Sequence, residues 1–216
     1  MTGSDVSNNA RPQVAVADTG RRNLRSVQKA LALVGADVVV TSDADRVARA
    51  DKVVVPGQGA FGGCVAGLDR DGGALRQAVM SVVTAGKPFF GICIGMQVLF
   101  DTSEEDPTRQ GLGLIPGTVR RIPVAPGLKI PHMGWNSTRR GPAATNVLGD
   151  TPDGTFFYFV HSYYPSPSRP EDAALSTTHG VEFCVAVARD NVFGCQFHPE
   201  KSQAAGQALL RRFVAA

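Results

Sequence analysis

Pro88-Phe89-Phe90-Gly91-Ile92-Cys93-Ile94-Gly95-Met96-Gln97-Val98-Leu99-Phe100 is the stretch on which the reading of this chain turns. An apolar run ends in a cysteine framed by two glycines, and a short helical pattern follows. That order describes a strand turning sharply into a helix with a cysteine at the corner. One glycine lets the backbone bend and the other leaves room beside the side chain, as in Gly-x-Ser-x-Gly nucleophile elbows, here with sulfur in place of oxygen. A cysteine at a helix N-terminus feels the positive end of the macrodipole, which favours the thiolate. A lone cysteine in apolar surroundings is also a common small core residue, so the distinction rests on the rest of the chain.

Upstream of the corner, short valine-rich runs alternate with helical spacing. Val14–Ala17, Val38–Val40 and Val53–Val55 are short and uniformly apolar, as strands covered on both faces are. Between the first two, Leu24, Val27, Leu31 and Val34 recur at helical intervals, and Gly35 stops the pattern. A further helix is predicted over Leu75–Ala85, ended by Gly86, before the strand Phe89–Ile92. This alternation predicts an α/β fold with a mostly parallel central sheet flanked by helices. Downstream the character changes. Arg120–Pro131 and Met133–Thr138 are broken by Pro and Gly, and Gly141–Gly154 reads as loop. Thr155–Val160, Ala174–Thr178, Phe183–Ala188 and Val192–Phe197 predict additional antiparallel strands, with Arg189-Asp190-Asn191 as a hairpin turn. Lys201–Val214 closes the chain as a helix. Residues 1–12 read as a loose polar leader, and 13–216 as a single domain.

Bulk properties narrow the class. Hydrophobic residues make up 43% and charged residues 19%, enough to bury a substantial core. The net charge of +3 is spread over scattered arginine pairs, which argues against a nucleic-acid partner. No Cys-x-x-Cys pair occurs among Cys64, Cys93, Cys184 and Cys195, so no metal site is expected. His132, His161 and His179 lack metal-ligand spacing and receive no catalytic role. With no apolar leader and no membrane-length run, the expectation is a cytoplasmic protein with free thiols and no membrane association.

The corner cysteine gains meaning from Gln196-Phe197-His198-Pro199-Glu200. In an extended segment residues two apart share a face, so His198 and Glu200 are expected side by side. A carboxylate beside an imidazole fixes its tautomer and raises its basicity, and the imidazole can then take a thiol proton. Cys93, 105 positions upstream of His198, completes a Cys–His–Glu triad. Pro56-Gly57-Gln58-Gly59-Ala60-Phe61 follows the third strand and lacks the Gly-Lys-Ser/Thr of a phosphate loop. Its backbone amides at Gln58 and Gly59, with that of Ile94, are candidates for an oxyanion site.

Together these segments resemble the class I (triad) glutamine amidotransferases, and within them the glutaminase subunits of imidazole glycerol phosphate synthase in histidine biosynthesis. The resemblance runs over nearly the whole chain after residue 12. It also takes in Asp18-Thr19-Gly20, Asn23-Leu24, Ser103-Glu104-Glu105, Gly111–Gly117, Pro131-His132-Met133-Gly134-Trp135-Asn136, His161-Ser162-Tyr163 and Lys201-Ser202. Met133–Asn136 and His198–Ser202 are the more specific segments. The resemblance implies hydrolysis of glutamine to glutamate and ammonia, with substrate contacts at Gly59, Gln97, Ser162 and Tyr163 and no cofactor. It also implies a cyclase subunit as partner in a heterodimer. That partner consumes the ammonia and forms imidazole glycerol phosphate and aminoimidazole carboxamide ribonucleotide. Trp135, Tyr158 and Lys201 fall at positions the family uses near that interface, and hydrolysis is expected to be weak until the partner binds its nucleotide.

Two positions depart from the family pattern. Arg22 precedes Asn23 where a small residue is usual, and Gln58 replaces a common valine in the oxyanion loop. Neither removes a triad side chain. The competing readings are another triad amidotransferase subunit, against which Met133-Gly134-Trp135-Asn136 argues, and a stand-alone cysteine hydrolase, which would turn over without a partner. The intact Cys93, His198 and Glu200 argue against a non-catalytic binding module.

Overall fold

The computed structural model describes residues 11–20, 23–143 and 147–216. Arg22 and all but the last two residues of the expected leader lie outside the described residues.

The chain runs β1 (Gln13–Ala17), α1 (Leu24–Leu33), β2 (Asp37–Thr41), α2 (Ala44–Arg49), β3 (Lys52–Gly57), α3 (Phe61–Leu68), α4 (Arg70–Thr84), β4 (Phe89–Cys93) and α5 (Ile94–Gln97). It continues through β5 (Thr102–Ser103), β6 (Gly117–Arg121), β7 (His132–Arg140), β8 (Thr155–His161), β9 (Tyr163–Pro167), β10 (Ala173–His179), β11 (Val181–Arg189), β12 (Val192–Cys195) and α6 (Gln203–Ala215). Nine strands form one sheet in the order β2-β1-β3-β4-β12-β11-β10-β7-β8. From β2 to β12 the pairings are parallel, and from β12 to β8 they are antiparallel. The antiparallel strands of the second half therefore extend the parallel sheet rather than form a separate layer. A small sheet, β5-β6-β9, stands beside it.

Strands β1, β3 and β4 are interior and covered on both faces, whereas β2, expected to be covered twice, is the sheet edge and its Val38–Val40 are only half-buried. Helices α1 and α6 pack on each other and on the sheet, whereas α2 and α4 form a second pair with α3 against α4. Val14, Val16, Val53, Val54, Val55, Phe89 and Phe90 are fully buried between these layers. Apolar area removed from water at about 25 cal/mol per Å² makes this interior the main stabilising term. Asp71, Gly72 and Gly73 take positive φ angles that kink α4 near its start, so its continuous part begins just after Gly73, close to the expected Leu75. The helix predicted after the corner is a single turn, and the last strand stops at Cys195. No helix among the described residues is long and apolar enough to cross a membrane.

Candidate active site

Cys93 ends β4 and caps α5, with φ 55° and ψ −110°. A residue with a Cβ holds such a conformation at a cost of about 1–3 kcal/mol, so the surrounding packing must impose it. The imposing contacts are visible at the two glycines. A Cβ on Gly91 would collide with the backbone of Gly95, and one on Gly95 would overlap the carbonyl of Val55 in β3. The corner is thus wedged between neighbouring strands with no space for larger residues. Because α5 is one turn long, its macrodipole contributes little, and the neighbour that matters electrostatically is His198.

His198 reaches Cys93 because β12 pairs directly with β4. The extended backbone expected across His198–Glu200 is corrected by the structure. His198 is extended, but Pro199–Lys201 form a 3-10 turn that brings Glu200 back to the Nδ1 edge of the ring. The side chains still meet, with Nδ1 of His198 2.8 Å from Oε1 of Glu200 and both side chains essentially unexposed. Glu200 also accepts a hydrogen bond from Nδ2 of Asn23 at 2.5 Å. Burial alone would lower the basicity of His198, but Cys93 and Glu200 outweigh it and raise the imidazole to about 9. Its Nε2 is buried with no partner at hydrogen-bonding geometry, although Cys93 lies close enough to affect the ring.

Gly57 lies in register with Cys93 across β3 and β4, so the chain leaves the sheet beside the sulfur. Gly59 follows with φ 113°, a conformation that favours glycine. The Phe61 amide donates to Oε2 of Glu105 at 2.7 Å, which fixes where the loop becomes α3. A cavity of about 490 Å³ opens over this corner. Its walls bring together Gln58, Gly59, Cys93, Ile94, Gln97, Ser162, Tyr163 and His198, with Tyr158 and Lys201 also on the wall. Glu200 stands behind His198 rather than on the wall. Glu105, Pro131, Val160 and His161 line the cavity too, and sequence reasoning gave them no part in it.

Gln97 turns inward from α5. Its Nε2 lies 3.0 Å from Oε1 of Gln196 and 3.3 Å from the Tyr163 carbonyl, whereas its Oε1 is buried without a partner. Gln196 in turn places Nε2 3.6 Å from the Cys93 sulfur. The Gln196 contact was legible only as a position two residues before His198. Asn23 could be quoted from sequence, but its contact with Glu200 depends on tertiary packing.

Trp135, 46% exposed, stands on the outer face of β7 beside the cavity mouth. Its ring meets Tyr158 edge-on at 6.1 Å, and Nζ of Lys201 sits 5.7 Å from the Tyr158 ring centre. Strand register sets Met133 opposite Val160, Trp135 opposite Tyr158 and Ser137 opposite Phe156. Met133 and Phe156 are exposed by 62% and 57%, so this face carries more apolar surface than the sequence suggested. No cluster suited to holding a metal ion occurs among the described residues.

A thiol at a strained strand–helix corner, with an imidazole–carboxylate pair just beyond the adjacent strand, has the arrangement of a cysteine-nucleophile triad. The glutamine amidotransferase class-I family model matches residues 15–216, and the chain belongs to that family. A relative in Geobacter metallireducens, named imidazole glycerol phosphate synthase subunit HisH, is 45% identical over 208 residues, covering 93% of this chain and 97% of its own. A subunit of the same name in Methanothermobacter thermautotrophicus is 46% identical over 201 residues, covering 93% and 97%. Within the family, the chain thus falls among the HisH subunits. Solved structures agree on the fold. One described as a glutamine amidotransferase superposes with a TM-score of 0.71 at 18% identity, covering 94% of this chain and 97% of that one. PurLQS from Thermotoga maritima gives 0.70 at 19% identity, with 95% and 98% covered.

Proposed function

We propose that Cys93 is the nucleophile of glutamine hydrolysis in this subunit, with His198 as its proton carrier and Glu200 as the group that orients His198. Cys93 from β4 and His198 from the segment after β12 meet at one cavity, with Glu200 behind His198, and that convergence carries the reading. The sulfur attacks the side-chain carboxamide carbon. The backbone amides of Gln58, Gly59 and Ile94 stabilise the negative oxygen that develops. His198 gives its proton to the departing ammonia, and water activated by the neutral imidazole then cleaves the thioester to release glutamate. The unpartnered Oε1 of Gln97 suits an N–H donor of the substrate, and Glu105 supplies a carboxylate for its ammonium group. Ser162 and Tyr163 line the same wall and hold the amino-acid end.

The ammonia goes to a cyclase subunit docked on the outer face of β7 and β8, with products imidazole glycerol phosphate and aminoimidazole carboxamide ribonucleotide. Trp135, Tyr158 and Lys201 anchor that contact, joined by Met133 and Phe156. An aromatic-rich apolar patch beside the cavity mouth supports this placement. Glutamine hydrolysis measured with and without the cyclase subunit and its nucleotide tests the proposal. A large stimulation is expected, and equal rates in all conditions would sink the regulated-subunit reading.

A further inference from the structure

Cross-strand pairing sets His132 opposite His161, with Nδ1 of His132 2.8 Å from Nε2 of His161. The groups at either end of this contact determine every proton along it. Nδ2 of Asn136 lies 2.9 Å from the Thr178 carbonyl and 3.1 Å from Nε2 of His132. A carbonyl only accepts, so Asn136 must present its amide nitrogen there; its Oδ1 accepts from the Ser137 amide. Nε2 of His132 is then an acceptor, which puts the ring hydrogen on Nδ1 and makes His132 the donor to His161. Nε2 of His161 accepts, so Nδ1 of His161 carries the hydrogen and donates to the Tyr163 carbonyl at 2.8 Å. The chain of donors runs one way, from Asn136 to Tyr163, and requires both rings to be neutral. Burial, the largest influence on each, favours the neutral form and lowers His132 to about 4 and His161 to about 3.

The Tyr163 carbonyl also fixes a second arm. It accepts from Gln97, so the Gln97 amide faces it with nitrogen. The same nitrogen donates to Oε1 of Gln196, which leaves Nε2 of Gln196 pointing at the Cys93 sulfur. Gln97 and Gln196 are both buried, at 2% and 0% exposure, so no solvent competes for these orientations.

We propose that Gln196 is a further catalytic residue, donating an N–H to the Cys93 sulfur, that the Tyr163 carbonyl acting through Gln97 keeps it a donor, and that the Asn136–His132–His161 relay holds that carbonyl in place. The catalytic half rests on Cys93 being the nucleophile. A donor aimed at sulfur stabilises the thiolate and is strengthened when the sulfur carries charge.

The test uses the full chain in three readouts. Long-range 1H–15N correlation of histidine-labelled protein should show both His132 and His161 as Nδ1–H tautomers. A Nε2–H tautomer at either ring would overturn the relay. Gln196→Met, nearly the same size but without a donor, should slow alkylation of Cys93 by iodoacetamide about tenfold, equivalent to about 1.4 kcal/mol, with no glutamine present. In the complex with the cyclase subunit the same variant should lower kcat for glutamine by a similar factor, with KM within about twofold. Gln196→Glu keeps the acceptor that Gln97 needs and removes the donor, so it should lose at least as much. The melting temperature guards against simple unfolding. Unchanged alkylation in both folded variants would overturn the role of Gln196. Because alkylation needs no substrate, that failure is distinct from a wild-type complex that fails to hydrolyse glutamine, which would overturn the proposed function instead.

Discussion

Cys93 holds a positive φ angle that a glycine would adopt freely, so the position of the proposed nucleophile stores strain. Cys93→Gly should therefore be more stable than Cys93→Ala, by about 1–3 kcal/mol offset by glycine's greater unfolded-state entropy. Paired thermal melts read the difference, and equal melting temperatures would show that the corner is unstrained. Gly95 stands at the opposite limit, since any Cβ there overlaps the Val55 carbonyl. Gly95→Ala should destabilise the fold far more than Gly35→Ala, whose Cβ meets nothing within 4 Å, although Gly35 also has positive φ. Denaturant unfolding of the two variants compares them. At this scale the sequence was informative where chemistry dictates residue type: Cys93, His198 and Glu200, which the structure brings together, could be picked out because the roles proposed for them have few substitutes. Asn23, Glu105 and Gln196 could not be given their contacts, because a lone amide or carboxylate looks the same whether it faces solvent or a neighbouring strand.

Among the elements, β7 and β8 carry the most consequence. Their outer face exposes Met133, Trp135 and Phe156, and their inner face carries the His132–His161 pair. Met133→Asp or Trp135→Ala should weaken binding of the cyclase subunit by about 2 kcal/mol or more, roughly thirtyfold, while leaving the isolated subunit's hydrolysis unchanged. Calorimetric titration of the complex provides the measurement. The inner face predicts acid sensitivity. Folded His132 and His161 titrate at about 4 and about 3, below the ordinary 6.5, so the unfolded chain takes up protons first as pH falls. Stability should thus decline between about pH 6.5 and 3, with about two protons taken up on unfolding at pH 5 from this pair. His198 has the opposite sign: raised to about 9, its contribution is complete below 6.5 and fades as pH rises through 9. Urea unfolding across this range, repeated with His132→Gln plus His161→Gln, should show the acid slope flatten. The elements missed from sequence share physical reasons. Helix α2 has only six residues, held by Asp43 accepting from the Asp45 and Arg46 amides. Helix α3, Phe-Gly-Gly-Cys-Val-Ala-Gly-Leu, has poor intrinsic propensity and forms because its apolar residues are buried. Strand β9 contains two prolines, tolerated because it pairs only with β6 at the edge of the small sheet.

At the scale of the whole molecule, the proposed docking face shares Tyr158, Val160 and Lys201 with the cavity wall, whereas Cys93 is buried at the strand–helix corner and has no part in that face. Cys93→Ala should therefore abolish glutamine-dependent turnover of the complex while leaving subunit binding and ammonia-dependent cyclase turnover intact. Loss of the ammonia-dependent reaction as well would show that the cysteine also supports assembly. The overall α/β plan was legible because buried parallel strands advertise themselves as uninterrupted valine runs. What no periodicity could reveal was that the antiparallel half joins the same sheet, since that depends on β12 pairing with β4 across a long stretch of chain. This adjacency also governs timing. A ribosome delivers the thiol 105 residues before the imidazole, so the unfinished polypeptide exposes a sulfur with no proton acceptor. With the triad proposed above, the growing chain stays chemically mute toward glutamine until β12 slots between β4 and β11, and closure of the sheet acts as the safety catch on its reactivity.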